Sequence, residues 1–60
     1  MTLKELPVGK KFSTFHKDSP IYVKTKDKKF GTAISNCIFY DEENVVCAYV
    51  DERFDIQPVK

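Results

Sequence analysis

From Lys10 onward apolar and polar positions alternate with a period of two, and turn-forming residues break the alternation about every 8–12 residues. That is the pattern of short β-strands, each with one face turned to a core. Phe12 and Thr14 alternate with Lys11, Ser13 and Phe15, which predicts a first strand near 10–16. Lys17-Asp18-Ser19-Pro20 is turn chemistry. Ile21, Val23 and Thr25 then alternate with Tyr22, Lys24 and Lys26, a second strand whose polar face carries the lysines. Asp27-Lys28-Lys29 reads as the next turn, and 30–40 as one long strand bent at Gly31 or at Ser35-Asn36. Asp41-Glu42-Glu43-Asn44 reads as a hairpin loop in which Asn44 is able to take the left-handed conformation. Residues 45–50 are apolar on both faces, Asp51-Glu52-Arg53 turns again, and 54–59 offers a closing strand with Pro58 marking an edge.

The N-terminus has a different period. Thr2 and Glu5 spell a capping box, and Leu3 and Leu6 lie at i, i+3, which predicts one short helical turn over 3–6. Pro7 stops it, and Leu6-Pro7-Val8-Gly9 reads as a turn. Together these elements predict an all-β fold: a small five-stranded antiparallel barrel or curled sheet with one short N-terminal helical turn.

A strand that is apolar on both faces must be covered twice. The outer face of 45–50 is therefore expected either in a subunit or partner interface, which would make the protein a homodimer or a bound module, or beneath a loop or the N-terminal turn. The cysteines test the strand register. A loop at 41–44 pairs Tyr40 with Val45, sets Cys37 opposite Ala48 and Cys47 opposite Ile38, and sends the thiols to opposite faces. A five-residue loop at 40–44 would instead pair Cys37 with Cys47. Our reading is the first register, with two reduced, half-buried thiols.

Length narrows the options. Sixty residues form a single domain, 1–60, which excludes a two-domain enzyme or a cleft between lobes. A chain of this size buries only about 60% of its unfolded surface, so its core is small. No apolar run is long enough to span a membrane. The net charge of +1 conceals an asymmetry: residues 1–30 hold eight lysines against Glu5, Asp18 and Asp27, whereas residues 31–60 hold Arg53 and Lys60 against six acidic residues. A basic and an acidic pole are expected, able to steer a charged partner.

Catalytic chemistry is not expected. His16, Asp18 and Ser19 have the residue types of a hydrolytic triad but crowd into one turn, where they read as a polar turn bonded to its own backbone. His16, Cys37 and Cys47 lack the spacing of a zinc site, and Asp41-Glu42-Glu43 lacks the alternating oxygens of a calcium loop. Gly9 and Gly31 are the only glycines, so no phosphate-cradling loop exists. No cofactor or metal is expected.

Two binding readings remain. Tyr22, Lys24, Lys26, Lys28, Lys29 and Phe30 combine lysines with aromatics in the manner of a small barrel that holds single-stranded nucleic acid. Tyr40, Asp41, Glu42, Glu43, Tyr49, Asp51 and Glu52 combine aromatic anchors with an acidic rim suited to a protein partner. Most of the aromatics are also needed for a core.

Three stretches, Leu6-Pro7-Val8-Gly9-Lys10-Lys11-Phe12, Ile21-Tyr22-Val23-Lys24-Thr25 and Asp55-Ile56-Gln57-Pro58-Val59, give the chain a layout that resembles very small β-barrel proteins encoded by bacteriophages. The segment from Cys37 to Val50 departs from that layout. The resemblance implies an SH3-like barrel, location in the bacterial host cytoplasm and an accessory role in infection; it transfers no catalytic residue. The leading expectation is thus a non-enzymatic binding module, a phage accessory protein that inhibits or redirects a host or defence protein. The alternatives are a single-stranded nucleic-acid binder and an oligomeric sponge that sequesters a small signalling nucleotide at a subunit interface.

Overall fold

The computed structural model describes residues 1–59; Lys60 lies outside the described residues. A 3-10 turn, η1 (Leu3–Glu5), precedes five strands: β1 (Lys11–Ser13), β2 (Tyr22–Phe30), β3 (Ala33–Asp41), β4 (Asn44–Ala48) and β5 (Gln57–Val59). All pairings are antiparallel, and the sheet order is β4-β3-β2-β1-β5. The fold is all-β, a curled five-stranded sheet that stays open between β4 and β5. Among the described residues no helix is long and apolar enough to cross a membrane.

The sheet curls around a core of five buried side chains, Leu3, Leu6, Phe12, Cys37 and Ile56, with Tyr22, Ala48 and Val50 packed against them. Residues 1–6 close one side. Their backbone runs beside 52–56, with Leu3 N–H donating to Phe54 O, Lys4 N–H to Glu52 O and Ile56 N–H to Met1 O, and Thr2 bridging Asp55. Hence only 57–59 of the expected closing strand joins the sheet; 54–56 pair with the N-terminus instead. The Glu5 carboxylate accepts the Thr2 N–H at 3.0 Å and the Thr2 hydroxyl at 2.9 Å. These bonds, the backbone one first, hold the Glu5 carboxyl below the usual range. The Thr2–Glu5 capping box that the sequence spells is thus formed.

The β3–β4 hairpin has the expected register: Tyr40↔Val45, Ile38↔Cys47 and Cys37↔Ala48. Its loop is shorter than the four residues expected, because Asp41 pairs with Asn44 and leaves Glu42-Glu43 as a two-residue turn. Such a turn needs positive φ at a central position, and Glu42 (φ 56), not Asn44, supplies it.

The β2–β3 hairpin differs from expectation. Asp27-Lys28-Lys29 is strand, not turn, because Gly31 (φ 62) supplies the positive φ of a two-residue turn closed by Phe30↔Ala33. The ladder is broken further back: Lys24 pairs with Cys37 and Lys28 with Ser35, so 25–27 stand opposite Asn36 alone. The buried Asn36 side chain then serves Val50, donating from Nδ2 to its carbonyl at 2.6 Å and accepting its N–H at Oδ1 at 3.0 Å. An amide thus stands in for a strand neighbour where β4 has ended, and Tyr49 and Val50 leave the expected strand. β1 is short for a similar reason: Ser19 Oγ takes the Thr14 N–H at 2.9 Å and turns the chain early.

Candidate functional site

Strand alternation fixes parity, and packing decides which parity faces inward. In β2 the expected faces are exchanged. Tyr22 stacks on the fully buried Phe12 (centroids 5.1 Å apart, planes at 17°) and meets Phe39 edge-on at 5.4 Å. Lys24 also points inward, and its ammonium donates to Leu3 O at 2.7 Å and Leu6 O at 2.6 Å, with Lys4 O at 3.4 Å. Leu6 O lies just past η1 and has no other donor among the described hydrogen bonds, whereas Leu3 O also takes the Leu6 N–H at 3.1 Å.

This divides the residues expected to hold nucleic acid. Tyr22 and Lys24 are structural. Lys26, Lys28, Lys29 and Phe30 remain exposed toward the β2–β3 tip, where Lys28 Nζ lies 5.3 Å from the centre of the Phe30 ring.

The outer parity carries apolar residues. An open groove of about 480 Å³ is lined by Lys11, Pro20, Ile21, Val23 and Tyr40. Tyr40 leads into Asp41, Glu42 and Glu43, all exposed, and no ion pair among the described residues engages these carboxylates. The structure thus brings Tyr40, Asp41, Glu42 and Glu43 to one rim. Tyr49, Asp51 and Glu52 lie past the other end of β4, a strand of five residues, or roughly 14 Å end to end at the strand rise. Asp51 is engaged there by Arg53, whose Nη2 reaches it at 2.9 Å; the hydrogen bonds from the Arg53 side chain and backbone hold its carboxyl down at about 2. The seven residues expected to form one protein-binding surface are therefore two clusters.

The acidic hairpin and the lysine-rich tip occupy opposite ends of β3, which separates them by nine residues, roughly 27 Å. Charge asymmetry along the chain becomes asymmetry along the sheet. The aromatics depart from expectation: Phe15, Phe30, Phe54, Tyr40 and Tyr49 are 48–64% exposed, so most of them lie outside the core. Phe15 and Phe54, with Thr14, His16 and Asp55, line a second open groove of about 500 Å³ that residue spacing did not reveal, since its walls come from distant segments.

The polar turn at 16–19 behaves as expected. Ser19 Oγ accepts from Thr14 N–H and donates to Pro20 O at 3.0 Å, which leaves no hydroxyl positioned by His16. Among the described residues no cluster of His, Cys, Asp and Glu could hold a metal ion.

The two thiols are free, on opposite faces, and not both half-buried: Cys37 is fully buried and Cys47 exposed. Desolvation pushes the Cys37 thiol from its ordinary 9.0 up to about 11. A group raised on folding stabilises fully below its unfolded value and loses that contribution as pH climbs through the folded one. Wild-type melting temperature is therefore expected to fall between pH 9 and 11 by several degrees more than that of Cys37→Ala. Parallel curves in thermal melts across that window would refute the assignment.

Comparison of the chain with protein-family models, curated proteins and solved structures finds no match.

Proposed function

We propose that the protein is a non-enzymatic binding module that docks a protein partner on the outer sheet face. The groove of Ile21, Val23 and Tyr40 seats an apolar side chain of the partner, and Asp41, Glu42 and Glu43 meet basic residues around it. The observation that carries this reading is an open, largely apolar groove whose wall residue Tyr40 leads along the chain into three exposed carboxylates that have no ion pair among the described residues. Interfaces gain their affinity from a few aromatic anchors in such a setting, while a charged rim sets orientation and on-rate. The resemblance of the sequence layout to phage-encoded small barrels, which implies an SH3-like barrel, is what supports a host or defence protein as the partner, in a bacterial cytoplasm.

The test is a pull-down from nuclease-treated bacterial lysate. One stoichiometric protein surviving moderate salt is expected, with Tyr40→Ala weakening it about 30-fold, the size of an interfacial hot spot. Glu42→Lys with Glu43→Lys should slow association more than it speeds release. Capture indifferent to all three substitutions would sink the proposal.

A second reading rests on the exposed Lys26, Lys28 and Lys29, which offer a sequence-independent contact to phosphates. Three such contacts give a log–log salt slope no steeper than about −2 for a single strand. Recovery of nucleic acid alone, with that slope, would move the function to the lysine tip.

A further inference from the structure

The sheet has two edges, and they are finished differently. β5 carries Pro58 opposite Phe12. Proline has no N–H, so this pair is one that does not exchange hydrogen bonds with β1, and the missing donor lies on the outward side. That edge is guarded against pairing. β4, Asn44-Val45-Val46-Cys47-Ala48, carries neither proline nor charge.

The hydrogen-bonding groups on the β4 edge follow from its turn. A two-residue loop makes Asp41↔Asn44 a pair that exchanges both bonds, and alternation makes Phe39↔Val46 and Cys37↔Ala48 pairs of the same kind. Val45 and Cys47 therefore turn their N–H and C=O groups away from β3. Two donors and two acceptors line an unguarded, uncharged edge.

We propose that this edge pairs with β4 of a second copy of the chain, antiparallel, about a two-fold axis through Val46. Val45 of each copy then faces Cys47 of the other, and every outward group finds a partner in four hydrogen bonds. Sliding the register by two residues sets Val45 opposite Val45, or Cys47 opposite Cys47, and satisfies one of the two residues per copy. In the proposed register the face bearing Val46 and Ala48 continues across the seam, as does the outer face bearing Val45 and Cys47. Glu43 of each copy comes beside Tyr49 of the other, so the two acidic hairpins lie at opposite ends of the seam and do not repel. The seam does not involve Ile21, Val23 or Tyr40, so the groove of the partner reading stays clear of it, and the two surfaces meet only at Glu43.

Light scattering on the wild-type chain is expected to give twice its 7.0 kDa mass at micromolar concentration. Val45→Pro removes an outward N–H that β3 does not use, so it should yield a folded monomer. Register is tested separately. In a Cys47→Ala background, Val46→Cys places two thiols across the axis at a Cα separation of about 4.5 Å, within disulfide range. The native Cys47 pair sits on the diagonal at about 7–8 Å, beyond that range. Mild oxidation should therefore cross-link the Val46→Cys variant and leave wild type uncross-linked. A monomeric wild type, a dimer that survives in folded Val45→Pro, or cross-linking through Cys47 in place of Val46→Cys would each overturn the proposal. If Val45→Pro fails to fold, the cysteine pair decides.

Discussion

Phe12→Ala is expected to abolish cooperative folding. Phe12 is fully buried and stacks on Tyr22 at the centre of the core. Emptying a buried phenylalanine site costs about 3–5 kcal/mol through lost transfer energy and the cavity left behind. A chain of 60 residues has on the order of 3–9 kcal/mol in total, at typical stability per residue. The core offers little means of collapsing into the gap, since among the described residues only Leu3, Leu6, Cys37 and Ile56 share the buried apolar cluster with Phe12. Circular dichroism during heating should show a broad, early loss of signal. Phe15→Ala and Phe54→Ala, at exposed aromatics, should shift stability by no more than about 0.5 kcal/mol. A sharp Phe12→Ala transition within a few degrees of wild type would place the core elsewhere.

The same small core explains what could and could not be read from the chain. The β3–β4 register was legible because a tight turn and the apolar run after it leave few ways to align the strands, and Tyr40↔Val45 follows with the opposed thiols. Which parity of β2 faces inward was not legible. Ile21 and Val23 are the more apolar set, yet Tyr22 and Lys24 turn inward, because Phe12 offers a stacking surface and η1 offers carbonyls. Neither partner is local in sequence. Ser35-Asn36 reads in the sequence only as a bend, whereas the Asn36 amide holds the backbone of Val50, fourteen residues away. The sequence reads most of the aromatics as core because composition gives their number and not the space available to them. Of the candidate site, the acidic hairpin beside Tyr40 was visible in the sequence; the groove it adjoins was not, since β1, the segment before β2, β2 and β3 all contribute to its walls.

The second large effect is expected at Lys24. Its ammonium closes the end of η1 through Leu3 O and Leu6 O, and Leu6 O is otherwise without a donor among the described hydrogen bonds. Hydrogen bonds to a charged donor contribute about 1.5–3 kcal/mol each, and a buried acceptor left alone keeps its desolvation cost. Leu3 O retains the Leu6 N–H at 3.1 Å, so the two losses are unequal. Lys24→Met, which keeps the aliphatic stem, should therefore cost about 2–4 kcal/mol. Lys24→Glu should cost more, because it sets a carboxylate against carbonyl oxygens. This bears on any test of nucleic-acid binding. Reversing the charge at Lys24 would abolish an interaction by unfolding the chain, whatever surface made it. Reversal at Lys26, Lys28 and Lys29, all exposed, changes the tip alone. Denaturant melts of Lys24→Met beside a Lys28→Glu, Lys29→Glu variant separate the two roles. A Lys24→Met midpoint equal to wild type would show that the ammonium contributes no net stability, and would return Lys24 to the set of residues free to bind.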